Sequence, residues 1–248
     1  MNYLIKEHIW EQIFVILSGL PKIHLKDKSH LRLFIDAVFL MTDNNLKWRQ
    51  LPKQYGNWFA IYQKFKRWSD KGIWEYLFSK VKTEPDLEHI FADSTIIRAH
   101  SCATGKNIEN QALGRSCGGF STKVHTLCDA LGYPIHFKLT AGQIHDISSI
   151  YENTQHIPSK SVFIADKAFD CDYLINSFIA KGVEVVIPSK KNRLKPRKHD
   201  QALYKERHLI EVFFGKLKQF RRIAFRVDKL AQTFLSFIYF ASMLIWLK

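Results

Sequence analysis

The chain has 248 residues, enough to bury a full hydrophobic core as one large domain or as a main domain with a smaller appendage. Lys and Arg outnumber Asp and Glu by 37 to 23, and the net charge of +14 favours a polyanionic partner, with nucleic acid the commonest. A basic surface that merely solvates exposed faces has the same count, so charge alone does not decide.

The N-terminus MNYLIKEHIWEQIF has no charged-then-apolar leader ending in a small-residue cleavage site. Cys102, Cys117, Cys128 and Cys171 lack CxxC spacing and read as free thiols of a reducing cytoplasm. Leu31, Phe34, Ile35, Val38 and Phe39 recur at helical spacing, and Trp58, Ile61, Tyr62, Phe65 and Trp68 form a second apolar stripe, so residues 1–85 are predicted to be a helical domain. Lys64, Lys66 and Arg67 fall between the second set of anchors. A DNA-binding module and a helical packing subdomain explain this segment equally well. The stretch from Asn44 to Tyr55 reads as a loop, and Asn57 as the N-cap of the helix that follows.

From Glu84–Pro85 onward the period changes. His89–Ile97, Thr122–Asp129 and Pro134–Thr140 are β-branched and aromatic runs, with Gly132 at the turn between the last two. A helix from Asp146, a strand Ser161–Ala165, a helix over Asp170–Lys181 and a strand Val183–Ile187 follow. Hairpin strands first, then strands alternating with helices, predict an α/β fold over residues 86–248: an RNase H-like mixed sheet flanked by helices. The run Lys190, Lys191, Arg193, Lys195, Arg197 and Lys198 reads as a basic loop that either contacts DNA backbone or is simply solvated. Leu230–Leu247 is nearly uncharged and follows Arg221, Arg222, Arg226 and Lys229, the look of a membrane span. Gln232, Thr233, Ser236 and Ser242 favour instead a buried helix packed on the domain of residues 86–248.

Asp93 follows the apolar run Ile90-Phe91-Ala92 and Asp166 follows Val162-Phe163-Ile164-Ala165, which places each carboxylate on or at the end of a strand, where ligand sites of α/β sheets lie. Taken singly, either Asp is more often a turn former or a cap. Tyr204, Arg207, Glu211 and Lys218 occupy a helical stretch. Positions seven apart nearly superpose on a helix, so Tyr204, Glu211 and Lys218 are expected to form one stripe with Arg207 at its border. Arg207 and Glu211 also fit a surface ion pair, but the flanking Ile210, Phe213, Phe214 and Leu217 bring the polar face close to the core, where a carboxylate needs a cationic partner. Two weaker patterns are read as ordinary structure. His145-Asp146 looks like a metal-binding pair, but Asp146 more simply caps a helix. Gly114, Gly118, Gly119, Ser121, Thr122 and Lys123 lack the order of a phosphate loop and read as a turn into a strand.

These residues resemble the DDE transposases of bacterial insertion sequences, specifically the IS-five group. Tyr204, Arg207, Glu211 and Lys218 match its Y-x2-R-x3-E-x6-K signature, and ADS around Asp93 and ADKAFD around Asp166 match its two Asp motifs. The likeness extends through WRQLPKQYGNW, FKRWSDKGIW, GRSCGGFSTKVHTLCDALGYP, LTAGQIHD, FGKLKQFRRIA and FASMLIWLK, nearly the whole chain. Cys117 departs from it, standing where the family usually has Arg, as do Phe225 and Val227.

The resemblance implies a transposase that cuts DNA at insertion-sequence ends and joins the freed 3′-hydroxyl to target DNA. It implies Asp93, Asp166 and Glu211 as catalytic ligands of two Mg²⁺ (or Mn²⁺) ions, Asp93 bridging and the other two holding one each. Arg207 and Lys218 would position phosphates or bases, Tyr204 would stack on DNA or serve as a structural ring, and Arg115, Lys123, Lys190, Lys191 and Arg193 are further expected DNA contacts. The expected partners are double-stranded DNA, as terminal inverted repeats and target, and further copies of the chain in a dimer or higher oligomer, in the cytoplasm at the nucleoid and away from membranes. A nuclease without strand transfer and an inactive DNA-binding descendant of a transposase are the alternatives.

Overall fold

The computed structural model describes residues 4–20, 27–82, 84–104, 111–116, 118–153 and 156–248. In chain order they form α1 (Glu7–Ser18), α2 (Lys28–Asn44), α3 (Trp58–Asp70), α4 (Ile73–Val81), β1 (His89–Ala99), β2 (Gly114–Ser116), β3 (Gly119–Cys128), β4 (Pro134–Ala141), α5 (Asp146–Asn153), β5 (Val162–Ala165), α6 (Asp172–Ala180), β6 (Glu184–Val186), α7 (Gln201–Lys205), α8 (His208–Gln219), α9 (Arg221–Ala224) and α10 (Ala231–Trp246). Two compact units result: Met1–Thr83 with Ala99–Asn107 and Leu217–Lys248, and Glu84–Arg98 with Ile108–Lys216.

The first unit is helical. Leu31, Phe34, Ile35 and Val38 are buried along α2, as their spacing predicts. Asn57 caps α3, accepting from Phe59 N at 2.8 Å and Ala60 N at 3.4 Å. The preceding loop contains two tight turns, Trp48–Gln50 and Lys53–Tyr55. Helix α10 buries 12 of its 16 residues, which requires partners on most of its circumference. Those partners are aromatic: Phe237 stacks on Phe65 with ring centroids 4.4 Å apart, and Phe240 meets Trp74 edge-on at 5.5 Å. Gln232 Nε2 donates to Ser69 O at 3.1 Å, and the Tyr239 hydroxyl donates to Glu75 Oε1 at 3.1 Å. The C-terminal helix thus packs on α3 and α4 of the N-terminal helices, where the sequence reading had placed it on the domain of residues 86–248. At 16 residues α10 spans about 24 Å. Among the described residues no helix is long and apolar enough to cross a membrane. Of the basic residues before it, Arg221 and Lys229 are exposed whereas Arg222 and Arg226 are buried. Arg222 grips Asp228 through Nε and Nη2 at 3.0 and 2.7 Å, and Arg226 donates to Asp228 O and Lys229 O at 2.9 and 3.1 Å.

The second unit is built on a sheet. β3 lies antiparallel between β1 and β4, β2 extends the edge of β3, and β5 and β6 continue parallel from β1. The resulting order β4-β3-β1-β5-β6, with three meandering strands followed by two parallel ones, is the RNase H-like arrangement. Gly132 makes the β3–β4 turn at φ +79°, a left-handed conformation that disfavours side chains, and an added Cβ would lie 3.0 Å from that of Leu209 on α8. Phe137 of β4 meets Phe213 of α8 at 6.0 Å, and Phe163 of β5 meets Phe178 of α6 at 4.5 Å, so helices cover the sheet where its strands are most apolar.

Candidate active site

The sheet register brings two of the three expected carboxylates together. β1 and β5 run parallel with Ala92 opposite Ala165, so Asp93 and Asp166 occupy adjoining positions on strands about 4.8 Å apart. Asp166 lies just beyond the end of β5, and its Oδ1 accepts from Ala168 N at 2.8 Å, capping the turn Lys167–Phe169. Asp93 Oδ1 accepts from Ser94 N at 2.7 Å and Asp93 Oδ2 from Arg207 Nη1 at 2.7 Å.

Arg207 then links this pair to the third carboxylate, because its Nη2 donates to Glu211 Oε1 across one turn of helix. The helical stretch around it is not continuous, however. α7 ends at Lys205, Glu206 and Arg207 form a turn, and α8 starts at His208. Leu209 N to Glu206 O at 2.9 Å and Ile210 N to Arg207 O at 3.2 Å are three-residue turns. The seven-residue superposition expected for Tyr204, Glu211 and Lys218 therefore fails for Tyr204, which precedes the break. Its half-buried ring packs near Arg207, 6.0 Å away, and His199, 5.4 Å away.

Burial pushes the Asp93 carboxyl above its ordinary range, and the negative charges of Asp166 and Asp146 push the same way, against Arg207 and the Ser94 N–H. At Arg207 burial opposes the charge, but Asp93 and Glu211 outweigh it and hold the guanidinium above its usual value. Neighbouring carboxylates that repel one another are a suitable donor set for a hard divalent cation, which prefers oxygen ligands. Among the described residues no three His, Cys, Asp or Glu side chains converge as a ready-made cation cage, since Arg207 stands between Asp93 and Glu211. The chemistry fits a cation, and Glu211 joins the set only by turning away from Arg207.

The expected DNA contacts divide. Arg115, Lys190, Lys191 and Lys218 are exposed. Lys123 is not, with only 9% of its surface exposed. Its Nζ donates to Ile144 O at 2.7 Å and lies 3.2 Å from Asp146, because its position on a central strand turns it into the fold. Arg193 is likewise committed: it reaches Asp170 at 3.0 Å and Asp172 at 2.7 Å, and Arg197 pairs with the same two carboxylates. These arginines clamp the basic loop to the Asp170–Asp172 segment, while Lys190, Lys191, Lys195 and Lys198 are its exposed charges. Cys117 lies outside the described residues. Sequence reasoning did not single out Asp170 or Ser94, and Asp146, expected to cap a helix, is the first residue of α5. The signal for Asp170 was the acid-rich ADKAFDCD.

Residues 84–246 match the model of the Transposase DDE domain, and residues 5–78 match that of a Putative transposase of IS4/5 family. The putative transposase for insertion sequence element IS6501 of Brucella ovis is 38% identical over 130 residues, 52% of this chain and 99% of that protein. An uncharacterized protein, y4sN, of Sinorhizobium fredii is 33% identical over 101 residues, 41% of this chain and 81% of that one. Among solved structures, the piggyBac transposase synaptic complex with hairpin DNA aligns at TM-score 0.44 and 12% identity, over 77% of this chain and 50% of its own length. With the Transposase DDE domain matched over 84–246, about two thirds of its length, the chain belongs to the DDE transposase family, enzymes of metal-dependent DNA transposition.

Proposed function

We propose that this transposase belongs to the IS-five group and that Asp93, Asp166 and Glu211 are the carboxylates with which it cuts the ends of its insertion sequence and joins the freed 3′-hydroxyl to target DNA. The observation that carries the reading is the parallel register of β1 and β5, which sets Asp93 beside Asp166, with Arg207 tying Asp93 to Glu211. The three carboxylates would hold two Mg²⁺ ions, which when bound neutralise phosphate charge and favour deprotonation of the attacking water or hydroxyl. Asp93 and Asp166 each accept a backbone N–H, from Ser94 on β1 and from Ala168 in the turn after β5, which supports their reading as oriented ligands. Arg207, freed from Glu211, becomes a planar donor beside the scissile phosphate, and Lys218, further along α8, supplies a point charge to the DNA backbone. Lys190, Lys191 and Arg115 add exposed positive charge for duplex DNA, the terminal repeats and the target, with the protein acting as a dimer or larger oligomer in the cytoplasm.

The test is Mg²⁺-dependent cleavage and joining of a labelled duplex made from the DNA flanking the coding sequence. Asp93→Asn, Asp166→Asn and Glu211→Gln should each abolish both steps while leaving gel-shift binding in Ca²⁺ intact. Because the three act as one cage, the triple variant should be little worse than any single one. Wild-type cleavage by one of these variants removes that residue from the set, and cleavage without joining reduces the function to that of a nuclease.

A further inference from the structure

Apart from the charge of Asp146, which Asp93 feels, the polar cluster behind Asp93 has no part in the chemistry described so far. Side chains alternate along β1, so Ser94 faces away from Asp93 and lies in register with His125 of β3, with Lys123 two residues away on the same face. Asp146, the first residue of α5, meets this face. Its Oδ1 accepts from the Ser94 hydroxyl, lies 3.2 Å from Lys123 Nζ, and is 3.7 Å from His125 Nδ1. Lys123 is anchored to Ile144 O at 2.7 Å, and His125 Nε2 to Thr140 Oγ1 at 2.8 Å. The Asp146 carboxylate is thus held from two strands and in turn fixes the Ser94 hydroxyl. The same Ser94 donates its backbone N–H to Asp93 Oδ1 at 2.7 Å.

We propose that Asp146 is a positioning residue for Asp93, acting through Ser94. The inference rests on the reading of Asp93 as a catalytic ligand. One residue joins the two carboxylates across the strand: its side chain is tied to Asp146, and its peptide group holds the oxygen of Asp93. An anchored Ser94 fixes the strand backbone at the point where a cation ligand must be aimed. Outer hydrogen bonds of this kind characteristically change metal affinity or activity by about 10–100-fold when removed. An ion pair with Lys123 that only secures the start of α5 would leave Asp93 indifferent to Ser94.

The experiment measures Mn²⁺ affinity of the full chain by electron paramagnetic resonance, alongside cleavage of the duplex made from flanking DNA, with thermal melts to check folding. Asp146→Ala and Ser94→Ala should each weaken Mn²⁺ binding and cleavage about 10–100-fold. The double variant should be no worse than either single one, since both break one connection. Ser94→Thr keeps the hydroxyl donor and Asp146→Asn keeps an oxygen acceptor, so both should retain most of the affinity. Wild-type Mn²⁺ affinity in a folded Asp146→Ala variant, losses that add in the double variant, or failure of Ser94→Thr to improve on Ser94→Ala would each overturn the proposal. If Asp146→Ala does not fold, the Ser94→Ala and Ser94→Thr comparison decides. Asp93→Asn is run in parallel: full activity there refutes the catalytic reading, whereas an inactive Asp93→Asn beside a wild-type Asp146→Ala refutes only the positioning role.

Discussion

Replacing Arg207 by Met keeps the length of the stem and removes the charge that Asp93 and Glu211 share. Its side chain is 19% exposed and that of Asp93 21%, so the 2.7 Å pair between them is neither a surface contact nor a fully buried one. Exposed pairs contribute up to about 1 kcal/mol, and stranding one partner of a buried pair costs about 3–5 kcal/mol. A loss of about 2 kcal/mol at neutral pH lies between these limits, and for a chain of this size it lowers Tm by about 4–8 °C. Asp93 loses its cationic neighbour while Asp166 and Asp146 remain, so its carboxyl moves further upward and the destabilisation shrinks in acid as Asp93 takes up a proton. A divalent cation can replace the missing charge, so Mg²⁺ should raise the Tm of Arg207→Met by more than that of the wild type, in proportion to the logarithm of its concentration above Kd. Differential scanning calorimetry over an Mg²⁺ series, at neutral and acidic pH, measures all three quantities. A variant that melts with the wild type, or equal Mg²⁺ shifts in the two proteins, would refute the view that Arg207 and a cation share these carboxylates.

Acid sensitivity is expected at His125, which is 3% exposed and whose burial holds its pKa down at about 4 against an ordinary 6.5. Below pH 6.5 the unfolded chain takes up a proton that the folded chain refuses, so stability is lost as pH falls from 6.5 towards 4, by about 3 kcal/mol in all. Denaturant titrations should show that loss reduced in His125→Gln, and an unchanged pH profile would contradict it. In the basic loop, Lys190→Gln with Lys191→Gln should flatten the salt dependence of DNA binding without changing Tm, because these side chains are exposed. Arg193→Gln should instead cost about 2–4 kcal/mol of stability, because Asp170, whose side chain is only 3% exposed, loses a guanidinium ligand. Equal Tm values for the two variants would show that the clamp does not form.

What the sequence determined by itself was everything governed by local period and by short motifs. The β-branched and aromatic run His89–Ile97 and the apolar run before Asp166 placed two strands correctly, because residue preference acts locally, and the stripe Leu31, Phe34, Ile35 and Val38 gave the buried face of α2, because burial on a helix follows its period. Asn57 was recognisable as a cap because capping chemistry involves only neighbouring residues. The resemblance in Tyr204, Arg207, Glu211 and Lys218 pointed to the DDE transposases, the family that the domain match established; its finer assignment to the IS-five group is a proposal. Only the tertiary structure decided which charges are free. Lys123 and Lys191 look alike in the sequence, yet one is turned into the sheet towards Asp146 and the other is exposed, a difference set by strand register and by a helix whose first residue lies 23 positions beyond Lys123. Arg193 reads as part of a basic tract until Asp170 and Asp172, more than 20 positions away, are seen to bind it. The break at Glu206–Arg207 and the docking of α10 on α3 and α4 are likewise absent from the local pattern: helix propensity is only a weak prior, and an apolar helix covers whichever apolar face the fold brings to it.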